Sequence, residues 1–131
     1  MIVLDTHVWL WWLSNPELLS PKAAGVIEKA VAGGEVHISS ISAWEIAMLV
    51  DRGRLELTID WRDWIRKSES LPFITFVPVD NTIALRSVSL PGDFHQDPAD
   101  RIIVATALTL GAGLVSRDGK IRKYSQVKTI W

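Results

Sequence analysis

The chain predicts an α/β fold in which a parallel sheet of about five strands is covered by helices on both faces. Three observations predict it. Short apolar runs rich in β-branched residues recur along the chain, longer segments with helical periodicity separate them, and turn or breaker residues mark the junctions. Strands that alternate with helices pair in parallel through right-handed crossovers, and both faces of such a sheet are then buried.

The elements follow in order. Ile2 to Leu4 reads as the first strand, and Thr6 to Leu13 as a helix that is apolar nearly all round. After the turn signals of "SNPELLSP", Lys22 to Ala32 forms a second helix that "GG" stops. Val36 to Ile38 is the second strand. "SAWEIAMLVDRG" and "DWRDWIRKSES" supply two more helices, and "LP" marks the approach to a third strand, Ile74 to Val79. A helix over Asn81 to Val88, the loop "SLPGDFHQ" and a helix over Pro98 to Leu110 lead into the fourth strand, Ala112 to Val115. Gln126 to Ile130 makes the fifth. No repeat, linker or low-complexity tract interrupts the pattern, so residues 1–131 read as one domain.

Composition narrows the chemistry. At 48% hydrophobic and 22% charged residues, the chain lies far from the signature of disorder. It has no cysteine, which excludes disulfides and thiolate metal sites and leaves oxygen or imidazole as metal ligands. A cytoplasmic location is the simplest expectation. The apolar run Val8 to Leu13 is far shorter than the roughly 20 residues that span a bilayer, and no basic segment precedes it as in a signal peptide. A net charge of −1 gives no global footprint for nucleic acid, so a polyanionic substrate has to be held by local charge or by metal.

The acids are placed suggestively. In a parallel α/β sheet, strand carboxyl ends and the starts of the following helices share one edge, where ligands bind. Asp5 ends strand one, Glu45 falls in the first turn of the helix after strand two, Asp97 and Asp100 flank the start of the helix from Pro98, and Asp118 follows strand four. Like charges gathered there raise one another's pKa unless a cation sits between them, and a hard divalent ion such as Mg²⁺ or Mn²⁺ suits carboxylate oxygens. Each acid also fits a structural role. "SAWE" has the form of a capping box, Asp97 fits an N-cap before Pro98, Asp100 suits the helix dipole, "RDG" is an ordinary turn and Asp5 can cap the helix that follows it. Coincidence on one edge favours chemistry.

"IVLDTHVWLWWL", "SSISAWEIAML" and "HQDPADRIIVATALTLGAGLVSRD" resemble, in order and spacing, the PIN-domain ribonucleases, and in particular the VapC-type toxins of bacterial toxin–antitoxin pairs. The likeness covers essentially the whole chain, and the third motif is its most specific part. It implies a three-layer α/β/α fold, Mg²⁺- or Mn²⁺-dependent cleavage of single-stranded or loop RNA, a homodimer, and neutralisation by a small VapB-type antitoxin through which DNA is met only indirectly. By position, the family's acidic quartet falls on Asp5, Glu45, Asp100 and Asp118, as catalytic residues and metal ligands. Asp97 is an acid additional to that quartet.

Several further residues carry two readings. Thr6 and Ser116 either hydrogen-bond the acids or are plain helix-start and strand-end residues. His95 could ligate metal or act on a leaving group, as an alternative to the usual fate of a loop histidine; His7 and His37 have weaker claims. Arg101 meets phosphate, or pairs with acids at the surface. "RDGKIRKYSQVK" concentrates Arg117, Lys120, Arg122, Lys123 and Lys128 beside Asp118, as a basic patch or a solvated face. The chain has 7 Trp against 3 Phe and 1 Tyr. Trp9 and Trp12 share one helical face and Trp11 points elsewhere; core packing accounts for part of this and a protein interface for the rest. Trp44, Trp61 and Trp64 could line a groove of that interface, but the core is the expectation for each. Two rivals to the ribonuclease reading are set aside. A phosphoaspartyl-type phosphohydrolase built on Asp5 would want a second Asp two residues on, where His7 stands; a non-catalytic PIN-like binding module would be signalled by loss of quartet acids, and all four are present.

Overall fold

A computed structural model describes residues 1–131. Five strands, β1 (Ile2–Leu4), β2 (Val36–Ser39), β3 (Ile74–Val77), β4 (Gly113–Val115) and β5 (Thr129–Ile130), form one sheet in the order β3-β2-β1-β4-β5. Every pairing is parallel. The helices are α1 (Thr6–Ser14), α2 (Pro21–Gly33), α3 (Ser40–Asp51), α4 (Trp61–Glu69), α5 (Asn81–Val88), α6 (Pro98–Leu110) and α7 (Gly119–Arg122). The chain steps outward from β1 to β2 to β3, then crosses back to lay β4 on the other side of β1. That reversal makes the crevice between the carboxyl ends of β1 and β4 the topological switch point, where α/β sheets bind ligands.

The pleat divides the core in two. Ile2 and Leu4 pack on one side with Trp9, Ile27 and Trp64 from α1, α2 and α4, while Val3 and Leu114 pack on the other with Ile83, Ile103 and Ala107 from α5 and α6. Alternate residues of a strand face opposite layers, and with both layers apolar the strand reads as a continuous hydrophobic run. The result is the expected three-layer arrangement. Trp9 is fully buried, its ring centroid 4.8 Å from that of Trp64 and 5.5 Å from that of Phe76, and its Nε1–H donates to Ser68 Oγ at 3.3 Å. This knits α1 to α4.

Every helix starts the same way. Asp5, Ser20, Ser39, Asp60, Asp80, Asp97 and Asp118 are the N-caps of α1 to α7, and each side chain accepts a hydrogen bond from a backbone N–H of the first turn. α2 and α6 end on Gly34 and Gly111 in the left-handed region, with φ of 67° and 64°.

Several expectations are corrected. α3 begins at Ser40, capped by Ser39, so Glu45 lies in its second turn and Ser42 and Glu45 are not a capping box. β3 stops at Val77 and β5 holds only Thr129 and Ile130. A 3-10 turn at Pro16–Leu18 occupies the expected loop. α7 occupies the expected turn after Asp118. Trp64 is in the core, but Trp61 is half-buried and Trp44 is 55% exposed. No helix is long and apolar enough to cross a membrane.

Two glycines separate backbone conformation from packing. A methyl added at Gly25, inside α2 on its exposed face, meets nothing within 4 Å, so Gly25→Ala should stabilise the protein by about 0.5–1 kcal/mol. Gly111→Ala also meets no atom, but its φ of 64° is costly for a residue with a Cβ, and a loss of about 1 kcal/mol is expected. Urea denaturation of the two variants checks both signs.

Candidate active site

The switch point puts a carboxylate where the backbone leaves the sheet. Asp5 follows β1, is 6% exposed, and is tied on both oxygens: Oδ1 accepts from Thr6 N–H at 2.8 Å and Oδ2 from Ser116 Oγ–H at 2.7 Å. Ser116 follows β4, and its Oγ also accepts from Asp118 N–H at 3.1 Å. One serine therefore couples two acids. On the α3 side, Thr6 Oγ1 lies 2.8 Å from Ser42 Oγ and donates to Glu45 Oε1 at 2.5 Å. Thr6 and Ser116 thus both hydrogen-bond the acids.

Asp5, Glu45, Asp97, Asp100 and Asp118 line a single open pocket of about 490 Å³, together with His7, Trp11 and Arg117. A larger hollow beside it, which shares Trp11, and a comparable one are mainly apolar; the acidic one alone combines a cluster of carboxylates with the switch-point position. Burial pushes the Asp5 carboxyl up, against the hydrogen bonds from Ser116 and Thr6. Burial also raises Glu45, opposed by the Thr6 hydroxyl and reinforced by the charges of Asp5 and Asp97. Asp100 is pushed up to about 8, first by burial and then by the charges of Asp5, Asp97, Asp118 and Glu45.

The loop before α6 is held from behind. His95 Nδ1 accepts from Asp97 N–H at 3.3 Å, and Nε2 lies 3.1 Å from Asp100 Oδ2, buried and without an aligned hydrogen bond. Arg101 neither pairs with an acid nor lines the acidic pocket. Its guanidinium donates to the carbonyls of Ser87 at 2.7 Å, Phe94 at 2.9 Å, His95 at 3.1 Å and Val88 at 3.4 Å, closing the end of α5 and pinning the loop. The Tyr124 hydroxyl adds a bond to Pro91 O. The basic patch divides: Arg117 lines the pocket, whereas Lys128 precedes β5 and lines a separate hollow at the opposite sheet edge with Met1 and Glu35. His37 bonds Glu35 O and is not among the pocket residues.

The donor set suits a hard divalent cation. It consists of carboxylates; Asp97 and Asp118 use Oδ1 for their caps and Glu45 uses Oε1 for Thr6, which leaves the second oxygen of each for a ligand. Burial is the first cause of the raised protonation of Asp5, Glu45 and Asp100 and neighbouring acids add to it, so a cation bound among them would favour their ionised forms. The side chains as they stand do not form a ready-made cage of three ligands, so an ion would have to draw the carboxylates together.

A parallel sheet in this order with acids at the switch point defines a class of protein, and the comparisons agree on which. The PIN domain model matches residues 2–127. The chain is 34% identical over 132 residues to Ribonuclease VapC22 of Mycobacterium tuberculosis, across 99% of this chain and 98% of that protein. It belongs to the PIN domain family. The fold is shared with VapBC2 from Rickettsia felis bound to a DNA fragment from their promoter, at 15% identity and TM-score 0.72 over 98% of this chain and 97% of that one. It is also shared with a toxin–antitoxin complex from Klebsiella pneumoniae, at 21% identity and TM-score 0.64 over 97% and 95%.

The raised acids predict how stability of the metal-free protein varies with pH. Asp100 keeps its proton in the fold up to about 8 but ionises from 3.8 when unfolded, so its contribution is fully present below 3.8 and lost as pH rises through about 8. The melting temperature in chelator should fall across that window. Asp100→Asn should flatten the fall, and an unchanged slope in that variant would show that Asp100 is not the group responsible.

Proposed function

We propose that this protein is a divalent-metal-dependent endoribonuclease that cuts single-stranded or loop RNA, and that it is the toxin of a toxin–antitoxin pair. One observation carries the proposal: Asp5, Glu45, Asp100 and Asp118 gather around one pocket in a chain 34% identical along its length to a ribonuclease. Asp5, Glu45, Asp100 and Asp118 would hold Mg²⁺ or Mn²⁺. The ion when bound would neutralise the scissile phosphate and lower the pKa of an attacking water. Ser116 holds Asp5 in place, Thr6 holds both Asp5 and Glu45, and Asp97 and His95 flank Asp100. A carboxylate of the pocket orients the water, so no covalent nucleophile is required of the protein. The likeness to toxin–antitoxin assemblies supports a VapB-type antitoxin as partner, with DNA met through it, and we extend the reading to a homodimer, a cytoplasmic location and a single domain.

Purified protein should cut RNA with Mg²⁺ or Mn²⁺ and stop when chelator is added; undiminished cleavage in excess chelator would overturn the metal mechanism. Asp5→Asn preserves shape and most capping ability but removes a charge, so activity should fall roughly a hundredfold or more while metal-free stability holds or rises. Added Mg²⁺ should protect this variant less against thermal unfolding than the wild type. An active Asp5→Asn protein would reduce Asp5 to a helix cap.

A further inference from the structure

Trp11 is the one apolar side chain among the eight that line the acidic pocket, and it also lines the larger neighbouring groove. It stands six residues beyond the cap Asp5 on α1, about 9 Å along the helix axis. Its surroundings are those of an aromatic platform. His7, one turn earlier on the same face, has its ring centroid 5.8 Å away, and the ring centroid of Trp131 is 6.0 Å away. Arg117 is exposed and adjoins Asp118, yet no carboxylate lies within ion-pair distance of it. Its guanidinium instead leans over the Trp11 ring at 5.8 Å from the centroid, near the limit of a cation–π contact. Core packing does not require a half-buried indole at the rim of a carboxylate pocket. Single-stranded nucleic acids, by contrast, are held by aromatic rings that stack bases beside cations that follow phosphates.

We propose that Trp11 and Arg117 form a base-stacking subsite that grips an unpaired nucleobase next to the phosphate held at the acidic pocket. This rests on the ribonuclease reading for its geometry, but it is tested by binding. In the Asp5→Asn background, so that no strand is cut during titration, affinity is measured by anisotropy for a short labelled single-stranded RNA. The same strand is then tested with abasic nucleotides scanned through it. One abasic position should weaken binding roughly five- to 150-fold, the fold-change equivalent of a lost base–aromatic stack. Trp11→Leu should weaken the intact strand similarly and abolish the abasic penalty at that position, since the two changes remove one interaction. Trp11→Phe should retain part of the discrimination, and Arg117→Ala should weaken binding and lower its salt dependence. In cleavage by the otherwise wild-type protein, the Trp11→Leu loss should appear in KM with kcat maintained. An abasic scan without any sensitive position, or a Trp11→Leu protein that weakens intact and abasic strands equally or leaves both unchanged, overturns the subsite. If the wild type cuts no RNA, the ribonuclease reading fails while the abasic scan still decides the platform; cleavage without base discrimination rejects the platform alone.

Discussion

The buried carboxylate of Asp5 is the constraint around which the rest of the site is arranged. A charge removed from water is costly unless it is hydrogen-bonded or paired, and the fold answers with the Thr6 amide on one oxygen and the Ser116 hydroxyl on the other. Those two bonds join the end of β1, the start of α1 and the end of β4, the three pieces of backbone that meet at the switch point. They offset burial only in part, because the Asp5 pKa remains raised. Asp100, which gets no aligned hydrogen bond from the facing His95, is pushed up to about 8, first by burial and then by the charges of the other acids. Arg117 and His7 line the same pocket, yet no Lys or Arg pairs with any of these acids.

Capping and function are not alternatives here. Asp5, Asp97 and Asp118 each cap a helix through one oxygen, and the cap is what fixes the carboxylate at the start of its helix and hence on the carboxyl edge of the sheet. An Asp at an N-cap has its position determined by the backbone to within a fraction of a turn, whereas a surface acid has several rotamers to choose from. Asp100, in the first turn of α6, caps nothing, and neither does Glu45. Glu45 sits in the second turn of α3, and its direction is set by the Thr6 hydroxyl rather than by a cap.

Much of this was legible from local pattern. The strands and helices follow from apolar periodicity and from Asp or Ser before each helix, and the shared edge of the acids follows from the parallel alternation alone. What escaped had weak or ambiguous local signals. Ser39, Ser40 and Ser42 are all chemically fit to start α3, and only the end of β2 pairing at Ser39 decides among them. α7 is four residues long, too short to show a period. Arg101 could not be placed because its partners are four carbonyls on the end of α5 and the following loop, brought together only by the tertiary fold. The tryptophans divide for the same reason: Trp9 and Trp11 are two residues apart on one helix, and the sheet lies on only one side of it.

The electrostatics impose an order of events on the proposed chemistry. With net charge −1 and a pocket rich in carboxylates, the one Lys or Arg that lines the site is Arg117; the exposed Lys120, Arg122 and Lys123 follow close after Asp118 in the chain. A polyanion approaching the acids directly meets repulsion that is strongest where burial weakens screening. Arg117 and the indole of Trp11 line the rim of that pocket, and in the proposed subsite they would hold a strand by its backbone and a base. Affinity at the rim and charge density at the centre would, on that reading, separate substrate capture from the chemical step. The hydrogen bonds among Thr6, Ser42, Glu45, Asp5 and Ser116 are all internal to the fold, while Asp97 and Asp118 each use one oxygen for a cap and keep the other uncommitted.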